Sequence, residues 1–145
     1  MIRFRSLALA LALCSLALVP LAGCGGESLT LVSVKGKVLV DGQPLTKGSV
    51  RFVPDKAKGN TTGVEPVGTI GADGGYELTT NGKPGAPPGG YLVSVSSGEI
   101  PDSTKPLATK TAVASRFSQP DTSKLTVEVV ATPAAGAYDL KVSAK

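Results

Sequence analysis

Residues 32–40 read V-S-V-K-G-K-V-L-V, which puts Val32, Val34, Val38 and Val40 on one face and Ser33, Lys35 and Lys37 on the other. A period of two predicts a strand with one buried side. Asp41-Gly42-Gln43-Pro44 supplies turn chemistry, and an extended pattern resumes over 49–53 with Val50 and Phe52 together, which predicts a hairpin or near-hairpin. Residues 67–71 and 76–80 flank Ala72-Asp73-Gly74-Gly75, where the glycines suit the positive φ of a tight turn. Alternation returns over 91–97 (Tyr91, Val93, Val95), 125–130 (Leu125, Val127, Val129) and 138–142 (Tyr138, Leu140, Val142). Seven short strands are therefore expected.

Between them, residues 55–66 are charged, glycine-containing and aperiodic, and read as an exposed loop. Asn60-Thr61-Thr62 within it matches a glycosylation acceptor, a short pattern that carries little weight by itself. Residues 81–90, with three prolines and four glycines, read as a connector rather than a central strand. Residues 98–124 form a long irregular connection in which 111–117 have room for a turn or two of helix. Lys105, Lys110, Arg116 and Lys124 fall on that connection. They form either a basic patch facing anionic headgroups or cell-wall polymer, or the solvated surface of a crossover; the crossover is the simpler reading.

The first two dozen residues follow different rules. Met1 to Arg5 is short and positive, residues 7–20 (LALALALCSLALVP) are almost wholly apolar, and the segment closes on Leu21-Ala22-Gly23-Cys24. This is the three-part grammar of a secretory signal. The apolar run falls short of the roughly 20 residues that a bilayer-spanning helix needs, and no basic stop-transfer cluster follows. Ala22 and Gly23 leave the backbone unobstructed beside the scissile bond, and Cys24 offers a soft nucleophile for a thioether-linked lipid. Ordinary signal cleavage with a coincidental cysteine is the competing reading, but it puts Pro20 or Leu21 where a small residue is wanted. The boundaries expected are a lipoprotein signal peptide over 1–23, a lipidated flexible tether over 24–30, and one domain over 31–145.

Composition narrows the picture further. Of 145 residues, 18 are glycine and 11 proline while aromatics make up 4%, which suits short strands and turns. Removing Arg3 and Arg5 with the signal leaves 13 basic against 11 acidic residues, with no basic run interleaved with aromatics, so a nucleic-acid partner is not expected. The chain has no histidine, and its two cysteines, Cys14 and Cys24, lie in or beside the apolar leader. Zinc hydrolysis and Ser-His-Asp or Cys-His catalysis therefore lack their essential ligands and bases. Asp41, Asp73, Glu77, Asp121, Glu128 and Asp139 lie in turns or at outward strand positions, where solvated charge is a better account than acid–base work, and Asp73 has no companion ligands at calcium-loop spacing. Neither a metal nor a cofactor is expected. Tyr76, Tyr91, Tyr138 and Phe52 face inward in the alternation, so they read as core rather than as sugar-stacking platforms.

Five segments carry a resemblance: 38–45 (VLVDGQPL) followed by 48–54 (GSVRFVP), then 71–78 (GADGGYEL), then 87–95 (PPGGYLVSV), then 116–129 (RFSQPDTSKLTVEV). Together with Leu21-Ala22-Gly23-Cys24, which resembles the bacterial lipobox, they resemble the bacterial carboxypeptidase regulatory-like, or transthyretin-like, lipoproteins. The resemblance implies an all-β fold, a seven-stranded antiparallel β-sandwich of the prealbumin-like (Ig-like) type. In metallocarboxypeptidases the related domain stands beside the catalytic one, so the resemblance implies a fold and not a peptidase. A transthyretin-like enzyme that opens a urate oxidation product needs histidines and a Tyr-Arg-Gly-Ser ending, which Lys141-Val142-Ser143-Ala144-Lys145 does not match. The expectation is an exported bacterial envelope lipoprotein, held to the membrane by lipid on Cys24, with a non-catalytic structural or binding module. Its partner would be an envelope protein paired to a strand edge or, alternatively, cell-wall polysaccharide or another carbohydrate.

Overall fold

The structure, a computed structural model, describes residues 29–98 and 112–145. The signal segment, Cys24, and Lys105 and Lys110 of the long connection lie outside the described residues. Among the described residues ten strands follow one another: β1 (Lys35–Val40), β2 (Gln43–Pro44), β3 (Gly48–Pro54), β4 (Val67–Ile70), β5 (Gly75–Glu77), β6 (Thr79–Thr80), β7 (Lys83–Pro84), β8 (Gly89–Ser97), β9 (Leu125–Val129) and β10 (Leu140–Val142). A 3-10 turn over Ser115–Ser118 and a single helical turn, α1 (Pro120–Ser123), precede β9.

All seven expected strand segments hold a strand, the segment 76–80 is divided between β5 and β6, and β2 and β7 are short additions. The sheet runs β10-β1-β5-β4-β3-β8-β9, with β2 beside β1 and β6 joining β4 to β7. The pairs are antiparallel with one exception, since β10 lies parallel to β1 through Val38↔Leu140, Leu39↔Lys141 and Val40↔Val142. A wholly antiparallel arrangement is thereby corrected. The cause is the 130–139 segment, which carries the chain from the end of β9 across to β1 before β10 begins.

The expected hairpin between the first two long strands also differs. Asp41 and Gly42 have φ of 49° and 87°, the doubly left-handed geometry of a two-residue hairpin turn, but the strand they return is β2, with Val40↔Gln43. The following strand, β3, instead pairs with β4 and β8. A second turn of the same kind, Asn81 (φ 50°) and Gly82 (φ 78°), closes β6 on β7 inside the segment expected to be a plain connector.

One side of the curled sheet faces a shared core. Val34, Val38, Val50, Phe52, Tyr91, Val93 and Val95 have no exposure at all, and Val129, Leu140 and Tyr138 close the same cluster. Each fully buried valine or phenylalanine contributes about 1.5–3 kcal/mol from the apolar area it hides. The aromatic rings of Phe52 and Tyr91 meet with centroids 5.6 Å apart at a 46° tilt. All three tyrosine hydroxyls find backbone partners: Tyr76 Oη donates to the Tyr138 carbonyl (2.6 Å), Tyr91 Oη to Pro87 (2.8 Å), and Tyr138 Oη sits between the backbone N and O of Val130 (3.3 and 3.4 Å). Each hydroxyl buried without such a bond would cost about 1–3 kcal/mol.

A candidate polar groove on the outer face

The outward positions of β3 and β8 follow from what their inward positions bury. With Val50 and Phe52 inside, Ser49, Arg51 and Val53 face out; with Tyr91, Val93 and Val95 inside, Leu92, Ser94 and Ser96 face out. The register then sets Ser49 opposite Ser96, Arg51 opposite Ser94, and Val53 opposite Leu92. Short side chains at Ser49, Ser94 and Ser96 leave a hollow where longer ones would cover the sheet.

Two loops wall the hollow. On one side stand Ser118, Gln119 and Pro120, fixed because Phe117 is buried beneath them and because Ser123 Oγ donates to the Val93 carbonyl (2.5 Å). Pro120 begins α1, where its missing N–H costs nothing. On the other side Glu65 reaches Arg51, with Oε2 3.7 Å from Nη1. The resulting groove has a volume of about 310 Å³. Ser94 forms part of its floor and is only 7% exposed, yet its hydroxyl has no hydrogen-bond partner among the described residues. Every fully enclosed side-chain oxygen among those residues does have one, so the Ser94 hydroxyl keeps what exposure it has by opening into the groove.

The loop that carries Glu65 is more ordered than its composition suggests. Asp55 caps a 3-10 turn over Lys56–Lys58 by accepting from Ala57 N (3.0 Å). Asn60 is buried: its Nδ2 donates to the Gly90 carbonyl (2.9 Å), and its Oδ1 accepts from the backbone N (3.2 Å) and hydroxyl (2.9 Å) of Thr62. The Asn60-Thr61-Thr62 triplet is thus a structural clamp, with its amide nitrogen committed to β8. Burial raises the Tyr91 hydroxyl pKa above its ordinary value, and hydrogen bonding with Asn60 and Thr62 offsets part of that rise.

The carboxylates singled out in the sequence are dispersed. Asp41 accepts from Ala144 N (3.1 Å), Asp73 from Gly75 N within its turn (3.0 Å), and Asp139 from Lys37 N (2.9 Å). Glu77 pairs with Lys35 at 3.2 Å, while Asp121 and Glu128 are exposed on α1 and β9. Among the described residues no three His, Cys, Asp or Glu side chains converge on a point that would hold a metal ion. Of the basic residues on the long connection, Arg116 lies with its guanidinium carbon 4.5 Å from the Phe117 ring centroid and donates to Ser143 Oγ (2.5 Å), and Lys124 is exposed after α1 with a left-handed φ of 57°. The other two basic residues of that connection, Lys105 and Lys110, lie outside the described residues. The lipobox residues Leu21, Ala22, Gly23 and Cys24 lie outside the described residues, and no described helix is long and apolar enough to cross a membrane.

None of the groove residues was legible as a site. The three strand serines look like ordinary outward positions until β3 and β8 are known to be neighbours. Comparison of the chain with protein-family models, with curated proteins and with solved structures finds no match.

Proposed function

We propose that the protein is an exported bacterial lipoprotein, anchored by lipid on Cys24, that displays its β-domain as a non-catalytic binding or structural module. The observation that carries this reading is Leu21-Ala22-Gly23-Cys24 at the end of an apolar run that follows Arg3 and Arg5. Two or more acyl chains would hold the chain firmly, since each buried methylene contributes about 0.8 kcal/mol and one chain alone binds marginally. The described chain becomes pinned to the sheet at Val32, which pairs with Ala86, so the span from Cys24 is short and the domain stays near the surface. A transthyretin-like sandwich is the fold we assign to it, supported by the seven longer strands and the single core between them.

The non-catalytic reading is supported by the absence of histidine from the whole sequence and by the dispersal of the carboxylates. An envelope-protein partner would find a strand edge at β9. Asp55 N donates to the Gly90 carbonyl, so Gly90 faces β3 and its neighbour Tyr91 faces β9. Val127, opposite Tyr91, therefore turns its backbone toward β8, and the backbone groups of Thr126 and Glu128 point outward. The alternative partner, a carbohydrate, draws its support from the groove.

Metabolic labelling with a fatty acid, combined with membrane fractionation of wild type and Cys24→Ser, tests the anchor. The variant is expected to take up no label and to accumulate as an unprocessed or misrouted precursor. Membrane attachment of Cys24→Ser at the wild-type level, with a mature-sized product, would overturn the reading.

A further inference from the structure

We infer that the groove between the outer faces of β3 and β8 is a binding site for a neutral saccharide, recognised through paired hydroxyls. The inference rests on reading the domain as a displayed binding module and gives that module a ligand class. Its basis is the chemistry of the lining. Ser49, Ser94, Ser96 and Ser118 each both donate and accept, as sugar hydroxyls do, and the Gln119 amide offers one acceptor and two donors.

Arg51 and Glu65 add a donor-only and an acceptor-only group side by side. At 3.7 Å their contact is long for a charge-assisted hydrogen bond, and their side chains are 60% and 49% exposed, so both retain capacity for a ligand. A vicinal diol matches such a pair, one hydroxyl accepting from the guanidinium while the other donates to the carboxylate. Because the two charges cancel, a neutral ligand fits better than an anion. Val53 and Pro120 provide apolar contact for the C–H faces of a ring.

Ser94 is the observation that points most directly to a ligand. The residue is more than nine-tenths buried and lines the groove, and its hydroxyl, which has no partner among the described residues, is not fully enclosed and so stays within reach of whatever occupies the groove. Water reaches it through the groove, and a ligand hydroxyl seated there would replace that water with a fixed partner. The volume of about 310 Å³ lies at the lower end of the roughly 300–1,000 Å³ of small-molecule sites, a size suited to one or two sugar rings.

The test is saturation-transfer NMR and titration of the detergent-solubilised full chain with the neutral N,N′-diacetyl form of chitobiose, called chitobiose below, and with glucuronate as the anionic comparator. Chitobiose is expected to bind at millimolar concentration. Ser94→Val, which fills the floor with a residue that favours strands, should weaken binding by about tenfold or more while leaving the far-UV spectrum unchanged. Arg51→Ala should weaken it similarly, and Ser33→Val, at an exposed position outside the groove, should not. Three results would each overturn the inference: no saturation of chitobiose by the wild type, equal binding by Ser94→Val, or glucuronate binding more than tenfold tighter than chitobiose. None of these outcomes depends on Cys24, so a failure here is separable from a failure of the lipid anchor.

Discussion

Replacing Tyr76 by phenylalanine removes a single oxygen from the interior and has consequences of opposite sign at neutral and alkaline pH. At neutral pH the Tyr138 carbonyl loses a donor held at 2.6 Å, and a buried acceptor left without its partner costs about 1–3 kcal/mol. The same hydroxyl is a liability at high pH. Burial, then the negative charge of Asp139 and then Tyr138, raise its pKa well above the ordinary 10.0. In the unfolded chain Tyr76 ionises near its ordinary value, while in the native state it keeps its proton. The unfolded state therefore binds fewer protons above pH 10, and stability that is fully present below that pH is lost as the pH climbs toward the native value. One such group lowers stability by up to about 1.4 kcal/mol per pH unit. The phenylalanine ring of the variant cannot contribute to this loss, whereas the raised Tyr91 contributes equally in both proteins. The deficit of Tyr76→Phe at pH 7 should thus shrink above about pH 10 and close between about pH 11 and 12. Equilibrium urea unfolding followed by far-UV circular dichroism, at half-unit steps from about pH 7 to about pH 11.5, measures the gap across the window in which the unfolded tyrosine ionises. A gap that stays constant or widens with pH would refute the assigned burial of the hydroxyl.

Two other substitutions test how the groove and the core are held. Asn60→Ala abandons the bonds to Gly90 and Thr62, and should cost about 1–3 kcal/mol while speeding amide hydrogen exchange across residues 55–66. Exchange unchanged from wild type would mean that Asn60 is not the clamp. Gly36→Ala would drive its Cβ into the Tyr138 carbonyl oxygen, a backbone atom with little freedom to move, and a loss of at least about 1–3 kcal/mol is expected from the melting transition. A melting temperature within a degree of wild type would argue against the close approach of the 130–139 segment to β1.

The strands were legible because their inward positions obey a period of two without interruption. Val50 with Phe52, Tyr91 with Val93 and Val95, and Leu140 with Val142 are each buried as the alternation requires. The neighbours of those strands were not legible. Asp41-Gly42 announces a tight turn, but nothing local says that the returning strand stops after Gln43 and Pro44 and leaves β3 to join β4 and β8. The β6–β7 hairpin had a usable signal in Asn81-Gly82, the dipeptide that most favours a two-residue turn, but the surrounding prolines and glycines obscured it. Asn60 was misplaced for a related reason. Its loop is polar and aperiodic, and only the tertiary position of Gly90 makes its side chain a buried bridge. The groove escaped the sequence for the same reason, because Ser49 and Ser96 become one surface only through the β3–β8 register.

That register ties the groove to the core more closely than a surface depression requires. On β8 the inward residues Tyr91, Val93 and Val95 alternate with Leu92, Ser94 and Ser96, so a slip of one residue would carry serines into the interior and valines to the surface. The core therefore dictates which β8 residues face the groove, but it does not dictate that they be serine. At outward sheet positions β-branched residues pack better across strands, and threonine would keep a hydroxyl while doing so. Ser94 is the extreme case: it is 7% exposed under the segment that carries Ser118 to Pro120, at a site where valine would bury apolar area and leave no unpartnered hydroxyl. Ser94→Val should consequently stabilise the domain, by about 0.5–2 kcal/mol if the hollow accepts the added methyls without strain. A gain in stability together with a loss of sugar binding is the signature of a residue kept for its ligand. If Ser94→Val instead lowers the unfolding midpoint in urea, the hollow is too tight for two methyl groups and the serine is there for packing.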